Sequence, residues 1–404
     1  MVFHVIKEGN IVFDFGEKID RSGTDSAKWD SWKLQNKPRD VLPLWVADMD
    51  FKAPQAVLDA LIKRVEHGVF GYTFISDSYF QAVVNWMSRR HHWEIQPDWI
   101  VSVPGVVTAL KVAVNAFSEV GDAVLIQKPV YYPFDIVIEE NGRKKVENAV
   151  TFNGKSFEIN FEDFENKIIE NKVKMFILCN PFNPIGKVFT KEELLKIGNI
   201  CKKHNVIVVS DEIHHDFVFG NRKHIPFYEV DPSFKEFSII CTAPSKTFNL
   251  AGLQVSNIII ADQSMKEKYK RCGNKYGIHE PNVLGLLACK VAYEECDDWV
   301  DAVSKYIQDN HAFMDIFFKT RLPKIKVIEP EGLYLAWVDF SALGMNHEEL
   351  EKFMLNNAKL WLDEGYIFGM QGAGYERFNV ATPRATLEEA LERLEYALEE
   401  ANLI

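Results

Sequence analysis

Four stretches of this sequence carry residue types able to do chemistry, and each closes a short apolar run. Pro104-Gly105-Val106-Val107-Thr108 follows Ile100–Val103, and Asn180-Pro181-Phe182-Asn183-Pro184-Ile185-Gly186 follows Met175–Cys179. Asp211-Glu212-Ile213-His214 follows Val206–Ser210, and Ala243-Pro244-Ser245-Lys246-Thr247-Phe248-Asn249 follows Phe237–Thr242. A turn entering a helix offers unpaired backbone N–H groups to a phosphate. Asn183 presents an amide, Asp211 with His214 a carboxylate and an imidazole, and Ser245-Lys246 a hydroxyl beside an amine. Each alone is a weak signal. In an open parallel sheet, ligands bind at the carboxyl ends of the strands, so all four sets would share one rim, and jointly they are specific.

The elements that must position them are legible between about residues 80 and 260. Trp99–Val103, Ala123–Gln127, Met175–Cys179, Val206–Ser210, Phe237–Thr242 and Asn257–Ile260 read as short strands separated by helical patterns. One such helix is Val106–Phe117, and another opens at the capping box Thr190-x-x-Glu193. This pattern predicts an α/β fold, a mostly parallel sheet covered by helices. Beyond about residue 290 a long helical stretch leads to a strand at Leu333–Phe340. The chain then ends in a helix with the stripe Leu387, Leu391, Leu394 and Leu398, expected to be capped by Thr386-x-x-Glu389. The expected organisation is an N-terminal arm over 1–45, a large domain over 46–288 and a smaller α+β domain over 289–404.

Composition bounds the function. The 404 residues are 47% hydrophobic and 26% charged, ordinary for a chain that buries a large core and unlike a disordered or disulfide-scaffold protein. A net charge of −12 argues against a general affinity for nucleic acid or anionic membrane. No apolar run approaches the ~18 residues that span a bilayer, and Met1 to Asn10 has no continuous signal-peptide core. The expected location is the cytoplasm. The six cysteines contain no C-x-x-C pair and read as buried, reduced thiols. A metal site from His214, His215 and Asp216 is not expected, since adjacent side chains diverge on an extended chain. The Gly369–Gly374 stretch lacks the strand–helix context of a dinucleotide fingerprint.

A phosphate cradle, an amide, a carboxylate and a lysine match the needs of pyridoxal 5′-phosphate. That cofactor requires an amine for its aldehyde, a carboxylate for its pyridine nitrogen, donors for its phenolic oxygen and a phosphate site. Over nearly its full length the sequence resembles the fold type I pyridoxal-phosphate enzymes. Within them it is most similar to the MalY/PatB-type cystathionine β-lyase group of the class I/II aminotransferase superfamily. The resemblance rests on Lys28-Trp29-Asp30, Leu44–Phe51, Gly71-Tyr72-Thr73-Phe74 and Asn183-Pro184-x-Gly186. It rests further on Ser210–His214, Ala243–Gly252 and Pro383-Arg384.

Lys246 is the residue to take the cofactor aldehyde and, once displaced by the substrate amine, to remove the Cα proton. Asp211 is matched to the pyridine nitrogen, and Asn183 to the phenolic oxygen and the substrate carboxylate. The phosphate is expected on the Val106 and Val107 amides with the Ser245 hydroxyl. The resemblance implies further roles. Tyr131, with Tyr132 as its rival, would stack on the pyridine ring. His214 stands where aminotransferases usually carry a tyrosine, and would contact the phenolic oxygen, hold a water or be structural. Tyr72 would reach the phosphate of a neighbouring subunit, making shared sites in a homodimer. Arg384 would clamp the substrate carboxylate. Phe182 and Tyr334 are candidate pocket walls. One departure is Gln254, where many aminotransferases of this fold place a phosphate-gripping arginine; this favours lyase over transaminase.

The resemblance therefore implies α,β-elimination of L-cystathionine or a related cysteine S-conjugate to a thiol, pyruvate and ammonia. The alternatives are a class I/II aminotransferase, or a lyase that also regulates a transcription factor through protein contacts.

Overall fold

The computed structural model describes residues 5–8 and 11–404, with side chains from Phe13 onward. The reading of Met1 to Asn10 bears in part on residues 1–4 and 9–10, which lie outside the described ones. The chain divides into two compact units: residues 53–182 with 187–297, and residues 1–52 with 183–186 and 298–404.

The first of these is built on an eight-stranded sheet. From one edge the strands are Ile100–Val103, Ser256–Ile259, Ser238–Thr242, Ile207–Asp211, Met175–Cys179, Ala123–Lys128, Lys144–Phe152 and Phe157–Ile159. The five strands from Ser238–Thr242 to Lys144–Phe152 are parallel, whereas Ser256–Ile259 and Phe157–Ile159 run antiparallel to their neighbours. The sheet is thus mixed around a parallel centre. The central strands Ala123–Lys128, Met175–Cys179 and Ser238–Thr242 are buried at every position, which is why they read as continuous apolar runs and not as alternating ones. Because Ser256–Ile259 is reversed between two strands of opposite sense to it, Ile100–Val103 points the same way as the centre. The carboxyl ends of all four motif-bearing strands therefore share one rim.

Local signals set the helix starts. Thr190 accepts from the Glu193 amide at 3.2 Å while the Glu193 carboxylate accepts from the Thr190 amide at 2.9 Å, the expected capping box. Gly105 has φ +87°, a conformation open to glycine, and admits the chain into helix Val106–Phe117.

The second unit carries a four-stranded antiparallel sheet in the order Lys326–Val327, Leu335–Asp339, Tyr375–Asn379, Asp363–Glu364. Helix Arg384–Glu400 buries Leu387, Leu391, Leu394 and Leu398 completely. The expected Thr386 cap is corrected: the helix starts at Arg384, two residues earlier, with Thr386 inside its first turn. Pro383 presets the entry backbone, and the Arg384 amide donates to the Tyr306 hydroxyl at 2.8 Å, so no side-chain cap is needed. The N-terminal segment joins this unit. Leu42–Pro43 pairs with Leu360–Trp361, Trp45 stacks on Trp361 at 4.5 Å, and the fully buried Lys28 donates to Asp50 at 2.7 Å. No disulfide occurs among the described residues, and five of the six thiols are buried. Among those residues no helix is long and apolar enough to cross a membrane.

Candidate active site

In the larger unit the rim is assembled by strand pairing. Asp211 ends its strand opposite Cys241, and its carbonyl accepts from the Asn180 amide at 2.9 Å. One residue beyond Thr242 the chain turns into the four-residue helix Pro244–Thr247, which carries Ser245 and Lys246. This juxtaposition brings the Lys246 charge to bear on Asp211. Asp211 is buried, and its carboxylate oxygen accepts from the Ile213 amide at 3.2 Å. Burial pushes its pKa up to about 7, against the pull of the Ile213 amide and Lys246. A carboxylate so desolvated is a natural seat for a cationic partner such as a protonated pyridine nitrogen.

On the same rim, helix Val106–Phe117 begins behind Gly105. The opening amides of a helix have no intrahelical acceptor and sit at its positive end. Val106 is buried and Val107 about one-third exposed. A buried acid without a cation bonded to it, an anion-ready helix start and a lysine on a one-turn helix fit the pyridoxal phosphate donor set. Gln254 is exposed in a left-handed conformation at φ +50°. Tyr131 and Tyr132 follow Ala123–Lys128, half-buried with ring centroids 5.6 Å apart, so burial does not separate the two. His214 is buried in the turn that follows Asp211. Tyr72 is fully exposed, with Val69, Phe70 and Phe74 exposed around it. Phe182 is buried and stacked on Phe189 at 5.7 Å.

The smaller unit holds a second candidate set. Arg377, buried in strand Tyr375–Asn379, donates from Nη1 to the Asn183 side-chain oxygen at 2.9 Å and from Nη2 to the Trp45 carbonyl at 2.8 Å. Nη2 also pairs with Asp363, and the guanidinium lies 4.8 Å over the Phe368 ring. The buried Nε of Arg377 has no hydrogen-bond partner. A guanidinium held this way, with a donor still unmet beside an amide, is fitted to bind a carboxylate.

Arg384, the arginine assigned to that task from the sequence, is placed differently. Its Nε donates to Asn310 at 2.8 Å, its Nη2 to the Asp309 carbonyl at 2.6 Å, and its charge lies 4.4 Å over Phe313. All of these partners sit on helix Asp297–Arg321, so Arg384 fastens the start of the terminal helix. Arg377 escaped the sequence reading although its signal was present: a cation inside the strand-like run Tyr375–Val380, where a charged residue needs a partner to be buried. Tyr334 is fully buried and donates to the Ala47 carbonyl at 2.9 Å.

The model of aminotransferase class I and II matches residues 39–394. The chain belongs to this family. It is 43% identical over 385 residues to cystathionine β-lyase PatB of Bacillus subtilis, covering 95% of this chain and all of that protein. It is 32% identical to protein MalY of Escherichia coli, over 94% of this chain and 97% of that one. Among solved structures, cystalysin from Treponema denticola, which contains pyridoxal 5′-phosphate, superposes with a TM-score of 0.94 at 40% identity. That match covers 97% of this chain and all of that one. The pyridoxal-phosphate-bound C-S lyase from Staphylococcus hominis gives 0.90 at 32% identity, covering 96% and 99%. The fold is that of the fold type I pyridoxal-phosphate enzymes.

Proposed function

We propose that this protein is a pyridoxal-phosphate-dependent carbon–sulfur β-lyase that cleaves L-cystathionine or a related cysteine S-conjugate to a thiol, pyruvate and ammonia. The observation that carries the reading is end-to-end similarity to cystathionine β-lyase PatB in a chain that sets Lys246 and a buried Asp211 on one sheet rim. Bound, the cofactor supplies an electron sink for the Cα carbanion.

The chain's own residues do the rest. Asp211 would pair with the protonated pyridine nitrogen and keep it protonated, and the Val106 and Val107 amides with the Ser245 hydroxyl would hold the phosphate. Lys246 would hold the aldehyde end of the cofactor and would move the Cα proton during turnover. Tyr131 covers the ring, and His214 serves the phenolic-oxygen side. Arg377, with Asn183, takes the substrate carboxylate, so that the Cα–H bond is held in a reactive orientation. We assign this role to Arg377 in place of Arg384, because Arg384 is fastened to helix Asp297–Arg321 through Asn310 and Asp309. The electron pair left at Cα as its proton departs would expel the sulfur from Cβ as a thiolate, which takes up a proton, and water would then release pyruvate and ammonia from the remaining three-carbon unit.

The exposed stretch Val69, Phe70, Tyr72 and Phe74 supports a homodimer in which Tyr72 reaches the partner's phosphate. Light scattering on the purified protein tests the dimer. Incubation of the holoenzyme with L-cystathionine and no keto acid, scoring pyruvate and thiol, tests the reaction. Equal release of both over many turnovers is the expected result. Turnover only with an added keto acid and amino donor would make it an aminotransferase instead. A regulatory role through protein contacts would survive Lys246→Ala, while turnover would not.

A further inference from the structure

Beside the Asp211 rim, the larger unit buries five titratable side chains that the proposed chemistry does not use. The turn over residues 213–216 brings two adjacent side chains, His215 and Asp216, to one place. His91 Nε2, at the end of helix Asp77–His91, lies 2.9 Å from Asp216 Oδ1. His215 Nε2 lies 3.1 Å from Oδ2, without the alignment of a hydrogen bond. Thr247 Oγ1 donates to the same Oδ2 at 2.5 Å. The second carboxylate, Glu212, accepts from Ser210 Oγ at 2.8 Å and the Phe227 amide at 3.0 Å, and lies 2.8 Å from His224 Nε2. The imidazoles of His91, His215 and His224 form a triangle with centroids 4.1, 5.9 and 5.7 Å apart.

Each carboxylate touches a neighbour of the proposed machinery. Glu212 follows Asp211, and Thr247 follows Lys246. Burial pushes Asp216 up, yet His215 and His91 hold it well below the usual carboxylate range, so it is a standing anion. The Thr247 bond is therefore charge-assisted, the stronger kind. It matters because the helix carrying Lys246 has only four residues, too short to hold its own conformation. Its backbone is fastened by Phe248 N to the Pro244 carbonyl at 2.9 Å and Leu250 N to the Ser245 carbonyl at 3.1 Å. Thr247 adds a side-chain anchor.

We propose that Asp216, held between His91 and His215, is a positioning residue that grips Thr247 and so sets the direction from which the Lys246 amine works. The inference rests on the reading that Lys246 binds the cofactor. The rival use of the same atoms is a metal centre, since the donors of His91, His215 and Asp216 all lie within 4.8 Å of one another. Such an ion would have to take the place of the hydrogen between His91 Nε2 and Asp216 Oδ1.

The test uses the holoenzyme of three variants: Thr247→Val, which keeps shape and loses the hydroxyl; Thr247→Ser, which keeps the hydroxyl; and His91→Gln. Misplacing a reacting group by about 1 Å costs roughly 100-fold in rate. Thr247→Val should lower kcat by roughly 10- to 100-fold with KM within about threefold. It should also move the pH midpoint of the visible band of the lysine-bound cofactor, and Thr247→Ser should restore both. Wild-type kcat and midpoint in Thr247→Val would overturn the proposal. If that variant does not fold, His91→Gln carries the same two readouts, and wild-type values there overturn it equally. One zinc per chain in the purified holoenzyme, lost in His91→Gln, would overturn it in favour of a metal centre. Borohydride reduction and peptide mapping separate the underlying reading. A label away from Lys246 overturns both readings; a label on Lys246 with an unaltered Thr247→Val overturns the positioning role alone.

Discussion

The two units each bury an ionic cluster, and the clusters are made of different chemistry. In the smaller unit the cation is a guanidinium, Arg377, fixed by Asn183, Trp45 and Asp363. In the larger unit the partners of Asp216 are imidazoles, His91 and His215, with a threonine hydroxyl. A guanidinium does not titrate and presents a planar fork, which suits it to hold a ligand's carboxylate. An imidazole N–H can donate to a carboxylate, which suits it to hold part of the chain in place. Between these styles stands Asp211, a buried acid with the charge of Lys246 nearby but no cation bonded to it. The comparison says which groups await something from outside and which are already satisfied.

The largest effect belongs to Lys246. Lys246→Ala should lower kcat by roughly 10,000-fold or more, since it removes both the covalent tether and the proton carrier. Pyruvate release in the presence of saturating cofactor is the measurement. Retention of even a tenth of the rate would remove Lys246 from the chemistry.

Next come the two arginines, which sharpen the contrast between ligand-holding and chain-holding cations. Arg377→Lys keeps a charge but loses the fork, and should lower kcat/KM by roughly 100- to 1,000-fold, in line with breaking a buried hydrogen-bonded charge pair. Arg384→Lys should leave kcat/KM within about threefold and instead cost about 1 kcal/mol of stability through its Asn310 and Asp309 contacts. The opposite ranking would return the carboxylate role to Arg384.

These arginines also mark where the sequence stops being readable. The strand-end positions of Lys246 and Asp211 are legible because their signal is local: an apolar strand, then a polar turn, at the end of a parallel strand. The Thr190 cap was found for the same reason. Arg377 meets Asn183 across 194 positions, and no spacing announces that contact. Arg384, seven residues on and beside a proline at a helix start, was the more conspicuous of the two. His91 was invisible for the same cause as Arg377, since its partner Asp216 lies 125 residues away. The expectation that His215 and Asp216 diverge assumed an extended chain, and the turn at 213–216 removes that premise. The mixed edges of the sheet were equally hidden, because an apolar run does not state its direction.

Asp211 gives a pH test of the smaller, uncommitted kind. Its folded pKa of about 7 exceeds the ordinary value of 3.8, so between those values the folded chain binds the proton more tightly than the unfolded one. Stability of the cofactor-free protein from this group is therefore present below about pH 4 and lost as pH rises through 7, a change of a few kcal/mol at ~1.4 kcal/mol per unit. Urea melts between pH 4.5 and 8 should show this fall in wild type and a shallower one in Asp211→Asn. Adding pyridoxal phosphate should flatten the wild-type slope, since a protonated pyridine nitrogen would then balance the carboxylate. An unchanged slope with bound cofactor would break the pairing.

The last test lies at Glu376, beside Arg377 in sequence. Its side chain is buried, its Oε2 has no partner, and burial together with Glu364 and Asp363 pushes its pKa well up. Its protonated form is therefore favoured, with the hydrogen-bonding character of an amide. Glu376→Gln should leave stability nearly unchanged at pH 5. At higher pH the wild type alone must keep a buried proton against solvent, at ~1.4 kcal/mol for each pH unit over which it stays protonated, so the variant should gain by a few kcal/mol on approaching pH 8. Paired thermal melts at the two pH values measure this. A variant less stable at both would mean that Glu376 carries a charge beside Glu364 and Asp363.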